Sequence, residues 1–352
     1  MKLISALTAG TLIAAGGVVA VAPTAFSASG LTTRCNGTAA GVTVPGTLVV
    51  PRGAACDLTD VTVTGDVRVA AGADLVATTS SFQGRVTVAE DGFVGLVDTE
   101  AAGRVVSRQG FGVSLEGSTA ESVVNRAVDG SDVLSVVYLE DGSAISGNVS
   151  STTGELLLSS SSVGGSLTGD GTVYTDVIDS VVDGGLSVMD NAEGGVFCES
   201  EVYGDAMYTG NMSVLQLGAD GPVEVCDMAS VWGGDVTVSD NMAEILVDQN
   251  IVRGTLSGEG NDPAPTVGDS NRVRGGLGGQ FAAPAEADAQ VAPQELQKSV
   301  ARMAASPMAA EVAEEPTVET VTERQADTVA QLDARQAKAE AKAVAAGPAD
   351  LV

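Results

Sequence analysis

Between Gly46 and Gly275 one short pattern recurs: an apolar residue, any residue, Gly or Asn, any residue, then a second apolar residue. Its centres are Gly46, Gly65, Gly84, Gly103, Asn125, Gly147, Gly165, Gly184, Gly204, Gly234, Gly254 and Gly275. Most steps are close to twenty residues, and the step from Gly204 to Gly234 is longer by about ten. About seven residues past most centres stands another Gly, Asn or Asp: Gly53, Gly72, Asp91, Gly110, Asp132, Gly154, Asn191, Asn211, Asn241 and Asn261. These residue types enter positive φ at low cost, so each is expected to turn a tight corner. The Gly165 unit departs from this, with Gly171 at six and Thr172 at seven. Apolar runs such as "ADLVA", "FVGLV", "ELLLS" and "EILVD" follow the corners as second strands.

Strand, corner, strand and corner in about twenty residues make one coil of a single-stranded parallel β-helix, a β-solenoid. The ladder predicts an all-β rod of about 11–12 coils over residues 29–281. Coils stack about 4.8 Å apart, so inward Val, Leu and Ile bury themselves against their counterparts above and below. The composition suits thin layers: among 352 residues there are 44 glycines, and only 3% of the chain is aromatic. A sandwich or barrel of hairpins would need two-residue turns that the repeat does not show.

The first thirty residues, "MKLISALTAGTLIAAGGVVAVAPTAFSASG", carry Lys2, an apolar run from Leu3 to about Val21 and a small-residue end. They read as a secretory signal peptide over residues 1–28, and no later segment is apolar enough to span a bilayer. The expected destination is extracellular or at the cell surface. Four cysteines suit it: Cys35 with Cys56, and Cys198 with Cys226, fall on neighbouring coils close enough for disulfides. No CxxC spacing supports a thiol metal site. The chain has no histidine, which excludes imidazole-dependent triads and histidine-ligated metals.

The runs "VPGTLVVPRGAACDLTDVTVTGDVRVAAGADL" and "LSGEGNDPAPTVGDSNRVRGGLGGQF" resemble those of a group of secreted actinobacterial β-solenoid proteins of unassigned function. The resemblance covers about residues 31–281 and implies a fold and a compartment, but no activity. In that group a cysteine precedes a "GNxPAP" element and another closes a terminal "GQ" element. The matching positions here are Gly258 and Phe281, so that third clamp is absent.

Charge is the sharpest chemical feature. From Ala127 through Val252 there is no Lys or Arg, while Asp and Glu number 21. Such coils should repel nucleic acids and acidic polysaccharides. Asp205 and Asp235 follow successive ladder glycines, where stacked carboxylates repel and a bound Ca²⁺ would relieve them. "VMDNAE" and "VSDNMAE" add Asp190, Asn191, Asp240 and Asn241 as candidate Ca²⁺ ligands, against a bland alternative of a solvated acidic face. Arg85, Arg104 and Arg126 follow three consecutive centres and are a candidate anion-binding column for a cell-surface polymer, against an exposed row paired with nearby acids. No other cofactor is expected.

After Phe281 the ladder stops. Residues 282–316 read as an Ala/Pro-rich linker with a short helix bearing Leu296, Val300 and Met303; residues 317–352 read as a polar helical tail. The tail's apolar stripe, Val318, Val321, Val329 and Leu332, is thin, which favours a solvated or partly disordered helix over one that binds a partner or self-associates. The residues favour a secreted, non-catalytic structural, surface-coat or adhesive protein, with the solenoid ends or the tail as candidate surfaces for self-association, given the repeat and the absent terminal clamp. The alternative is a carbohydrate-active enzyme hydrolysing polysaccharide through Asp pairs. Trp232, Tyr174, Tyr203 and Tyr208 are too few to make a sugar platform.

Overall fold

The computed structural model describes residues 30–218, 221–282 and 320–351. The segment read as a signal peptide, the expected short helix with Leu296, Val300 and Met303, and Val318 lie outside the described residues. What is described is a parallel β-solenoid of about 13 turns with one helix, α1, at Val321–Ala346. A typical coil has three strands, as in Thr62–Val63, Val67–Val69 and Asp74–Thr78. The third strands form a 12-stranded sheet of their own, and every pairing given for it is parallel in chain order.

From Gly65 onward the ladder glycines answer a need for close approach rather than for positive φ. A Cβ on Gly184 would lie 2.6 Å from the backbone carbonyl of Gly165, and one on Gly65 would lie as close to Gly46. No side chain fits between coils at that edge. Asn125 is a correction to the ladder. The next coil meets the chain at Glu121, whose carbonyl accepts from Gly147 N–H, because a bulge between Ala101 and Arg104 shifts the register. Asn125 lies four residues on, fully buried, bonded to Ser135 and Ser151.

The corner residues need a second correction. Gly53, Gly72, Asp91 and Gly154 do have positive φ. At the asparagine corners that role falls one residue earlier, on Asp190, Gly210, Asp240 and Gly260. The asparagines themselves turn inward, and Gly171 with Thr172 is the first instance of the same arrangement. Asn191 N–H donates to Asn211 Oδ1 (3.1 Å), Asn211 N–H to Asn241 Oδ1 (2.9 Å) and Asn241 N–H to Asn261 Oδ1 (3.2 Å). Gln280 closes the ladder on Asn261. At another corner Ser80, Thr99, Ser118 and Ser143 stack in the same manner through buried hydroxyls. These side chains satisfy backbone N–H groups that the corners would otherwise bury unpaired.

Both expected disulfides are formed, Cys35–Cys56 and Cys198–Cys226, each with Cα atoms 5.5 Å apart. At the far end a Cβ on Gly258 would lie 3.1 Å from the Phe281 ring, and Phe281 is buried. Gly258 and Phe281 are therefore neighbours, and the aromatic ring closes the core at this end.

The tail differs most from expectation, because α1 lies along the 12-stranded sheet instead of in solvent. It runs antiparallel to the direction of coil growth and crosses nine strands, from Gly194–Cys198 back to Gly37–Ala40. The match is metric. Its 26 residues rise about 39 Å at 1.5 Å each, and eight intervals at about 4.8 Å give roughly 38 Å. One helical turn thus advances about one coil. Val321, Arg324, Thr328, Leu332, Ala339 and Ala343 recur at spacings of three, four and seven residues, which keeps them on one helix face, and are all buried. Thr320 and Glu323 form a capping box at the helix start. Beyond it Gly347 and Ala349 bond to Thr38, forming a single parallel bridge to the first coil, and Leu351 enters the core.

Candidate functional site

The face under α1 is built from the outward residues of the third strands. Ala55, Val76, Phe93, Val136, Tyr138 and Leu157 form an apolar floor that takes Leu332, Ala339 and Ala343. Small residues make room for the helix: a Cβ on Gly112 would lie 2.8 Å from Leu332, and one on Gly95 would lie 3.2 Å from Gln336. Three carboxylates are set into this floor, Asp74, Glu155 and Asp176, each exposed by 5% or less.

Each carboxylate meets a donor from α1. Arg324 Nη2 lies 2.8 Å from Asp176 Oδ2, with its guanidinium 4.4 Å over the Tyr174 ring. Asp176 Oδ1 accepts from Val196 N–H at 3.0 Å. Burial raises the pKa of the Asp176 carboxyl, and Arg324 beside it opposes that rise. Glu155 accepts from the hydroxyls of Tyr138 (3.3 Å), Tyr174 (3.0 Å) and Thr328 (2.8 Å). Both tyrosines are pushed well above their usual range, by burial first and then by the Glu155 charge. Arg335 reaches Asp74 at 2.7 Å and Asp91 at 3.4 Å, over the Phe111 ring at 4.9 Å. Lys342 bonds to the Gly53 carbonyl.

One acidic contact opposes the docking. Glu140 pairs across coils with Glu116, next to Asp141 and facing Asp333 of α1. Burial and then these three acids lift its pKa to about 7. A raised folded-state value means the carboxyl favours folding below its ordinary range and loses that contribution as pH rises through 7. Glu140→Gln should therefore melt with the parent at pH 5 and above it at pH 8. A gap between the two that shrinks as pH rises contradicts the assignment.

The residues expected from the sequence to hold ligands are placed differently. Asn191 and Asn241 are fully buried with their amides in the inner ladder, so the fold does not join them to Asp190 and Asp240 as ligand pairs. Asp205 Oδ1 accepts from Asp235 N–H at 2.9 Å, and Asp235 Oδ1 accepts from Thr255 N–H at 2.7 Å and from its hydroxyl. The two Thr255 bonds hold the Asp235 pKa below the usual carboxylate range. Stacked carboxylates here cap the backbone of the next coil. Among the described residues no group of three or more Cys, Asp or Glu side chains is gathered as metal ligands would be.

The arginine column is corrected too. Arg85 and Arg104 follow stacked glycines, but Arg126 pairs in register with Arg108, because the ladder passes through Glu121 and not Asn125. Arg104 meets Glu121 at 3.8 Å, both exposed. Of the four rings considered as a sugar platform, Tyr203 is exposed, while Trp232, Tyr174 and Tyr208 are buried. Trp232 stacks on Phe197 at 4.0 Å and donates to Asn250 at 2.8 Å.

Sequence reasoning missed the clasp residues Arg324, Thr328 and Arg335. A signal for them exists: "FVGLV" and "ELLLS" are apolar without alternation, which marks strands buried on both faces and hence a covering element. The fold and this site define the protein as a β-solenoid clasped by its own C-terminal helix. No family model, curated protein or solved structure matches the chain. Among the described residues no helix is long and apolar enough to cross a membrane, and the two disulfides fit an oxidising compartment.

Proposed function

We propose that this chain is a secreted, non-catalytic structural protein of the cell surface, a coat or adhesive rod akin to the secreted actinobacterial solenoids its sequence resembles. The observation that carries this reading is where the buried polar groups go. The inward asparagines and hydroxyls bond coil to coil, and the buried carboxylates Asp74, Glu155 and Asp176 bond coil to helix. Groups held in such fixed geometry rigidify a rod. The acidic coils favour neutral or cationic neighbours over anionic ones.

The test has two parts. Protein recovered from the culture medium should begin between residues 25 and 30. Incubated with a panel of neutral polysaccharides, it should release no reducing ends. Release that disappears in Asp205→Asn with Asp235→Asn would replace the structural reading with a hydrolase.

A further inference from the structure

We propose that the groove beneath α1 is a helix-accepting interaction surface whose second occupant is the C-terminal clasp of another copy of this chain, so that copies join by exchanging clasps. The inference rests on the structural reading above and supplies its mode of assembly.

The groove is chemically selective. It offers a strip of small and apolar residues with three buried carboxylates: Asp176 near one end, Glu155 one coil on, and Asp74 four coils beyond that. An occupant must be a helix with a cation, a hydroxyl and a second cation at matching heights, or the groove buries unpaired charge. Arg324, Thr328 and Arg335 supply that order. Few segments of this chain could, since Lys and Arg total 17 against 46 Asp and Glu. The clasp also forms a parallel bridge: Gly347 and Ala349 bond to Thr38, and a Cβ on Gly37 would strike Gly347. Strand addition at an open edge is a common mode of recognition between chains.

The connection does not dictate which copy is clasped. The solenoid ends at Phe281, three coils past the strand where Val321 docks, on the order of 15 Å at about 4.8 Å per coil. Residues 283–319 lie between, a length that spans on the order of 100 Å when extended at about 3.3–3.6 Å per residue. The same contacts form within one copy or between two, so exchange needs no new complementary surface. Proximity favours self-clasping in dilute solution, with effective concentrations of order millimolar, and exchange gains as copies crowd at a surface.

Two full-length variants separate the outcomes. Arg324→Ala with Arg335→Ala spoils the clasp and leaves the groove; Asp176→Lys spoils the groove and leaves the clasp. Each alone should run as a monomer with α1 open to protease. Mixed in equal amounts at about 100 µM they should double in mass by light scattering, as one intact clasp enters one intact groove, and protease protection should return to about half of the helices. A mixture that stays at monomer mass overturns the proposal, as does doubling by either variant alone. If Asp176→Lys lowers the melting of the solenoid itself, Asp74→Lys at the other end of the groove replaces it. Polysaccharide hydrolysis would remove the coat reading and leave the mass doubling untouched. Absence of doubling would remove clasp exchange and leave the coat reading standing.

Discussion

Replacing Arg324 by alanine should free the first half of α1 from the solenoid. The guanidinium is 2.8 Å from an Asp176 carboxylate that is 3% exposed, and removing one partner of a buried pair costs about 3–5 kcal/mol because the other charge stays behind. Asp176 would then take up a proton, since burial already pushes its pKa upward and Arg324 is its main opposing charge. The expected result is loss of amide-exchange protection from Val321 to about Leu332, with the inner coils still protected. The paired change Arg324→Met with Asp176→Leu should restore docking, because apolar replacements of similar volume are often neutral or stabilising. If Arg324→Ala exchanges like the parent, the ion pair does not hold the helix.

Asn211→Leu should be the most damaging single change inside the rod. Asn211 accepts from Asn191 N–H and donates to the Val188 carbonyl (3.0 Å) and to Asn241 Oδ1 (2.9 Å), all in the buried interior. Leucine is close in size but leaves the Asn191 donor and the Val188 acceptor without these partners. Each orphaned group costs about 1–3 kcal/mol. Asn211→Thr should lose less, since a hydroxyl performs a comparable task at Thr172, which bonds Asn191 at 2.7 Å. Because coils contact only their neighbours, the loss should appear first as faster exchange around Asn191 and Asn241, ahead of global melting. Equal melting and exchange for all three proteins would mean the ladder contributes nothing measurable.

These two sites show what kind of information each level carries. The coil is legible in the sequence, because a stacked repeat leaves a local signature. Each ladder glycine must admit the backbone of the coil below, as Gly184 admits Gly165, and each coil must supply the same apolar residues inward. Neighbouring coils are about twenty residues apart, so the pairings of Cys35 with Cys56 and of Cys198 with Cys226 were also within reach of a count. The count failed only where the spacing hid a local irregularity. A bulge at Ala101–Arg104 made Asn125 look like a ladder centre, and a one-residue offset hid that Asp190 turns the corner while Asn191 fills it.

The clasp belonged to the tertiary structure alone. Arg324 and Asp176 are 148 residues apart, Thr328 and Glu155 are 173, and Arg335 and Asp74 are 261, so no local pattern links them. The apolar stripe marks Val321 and Leu332, but the rest of the docking face is two arginines, a threonine and two alanines, and a hydropathy stripe cannot register such a surface. Likewise, the acidic coils suggested a missing cation, and it was the fold that supplied one, from a guanidinium at the other end of the chain. A repeat is written in the sequence because each coil meets a copy of itself. A charge buried against a distant helix is decided only when the coil spacing and the helix rise bring the two together.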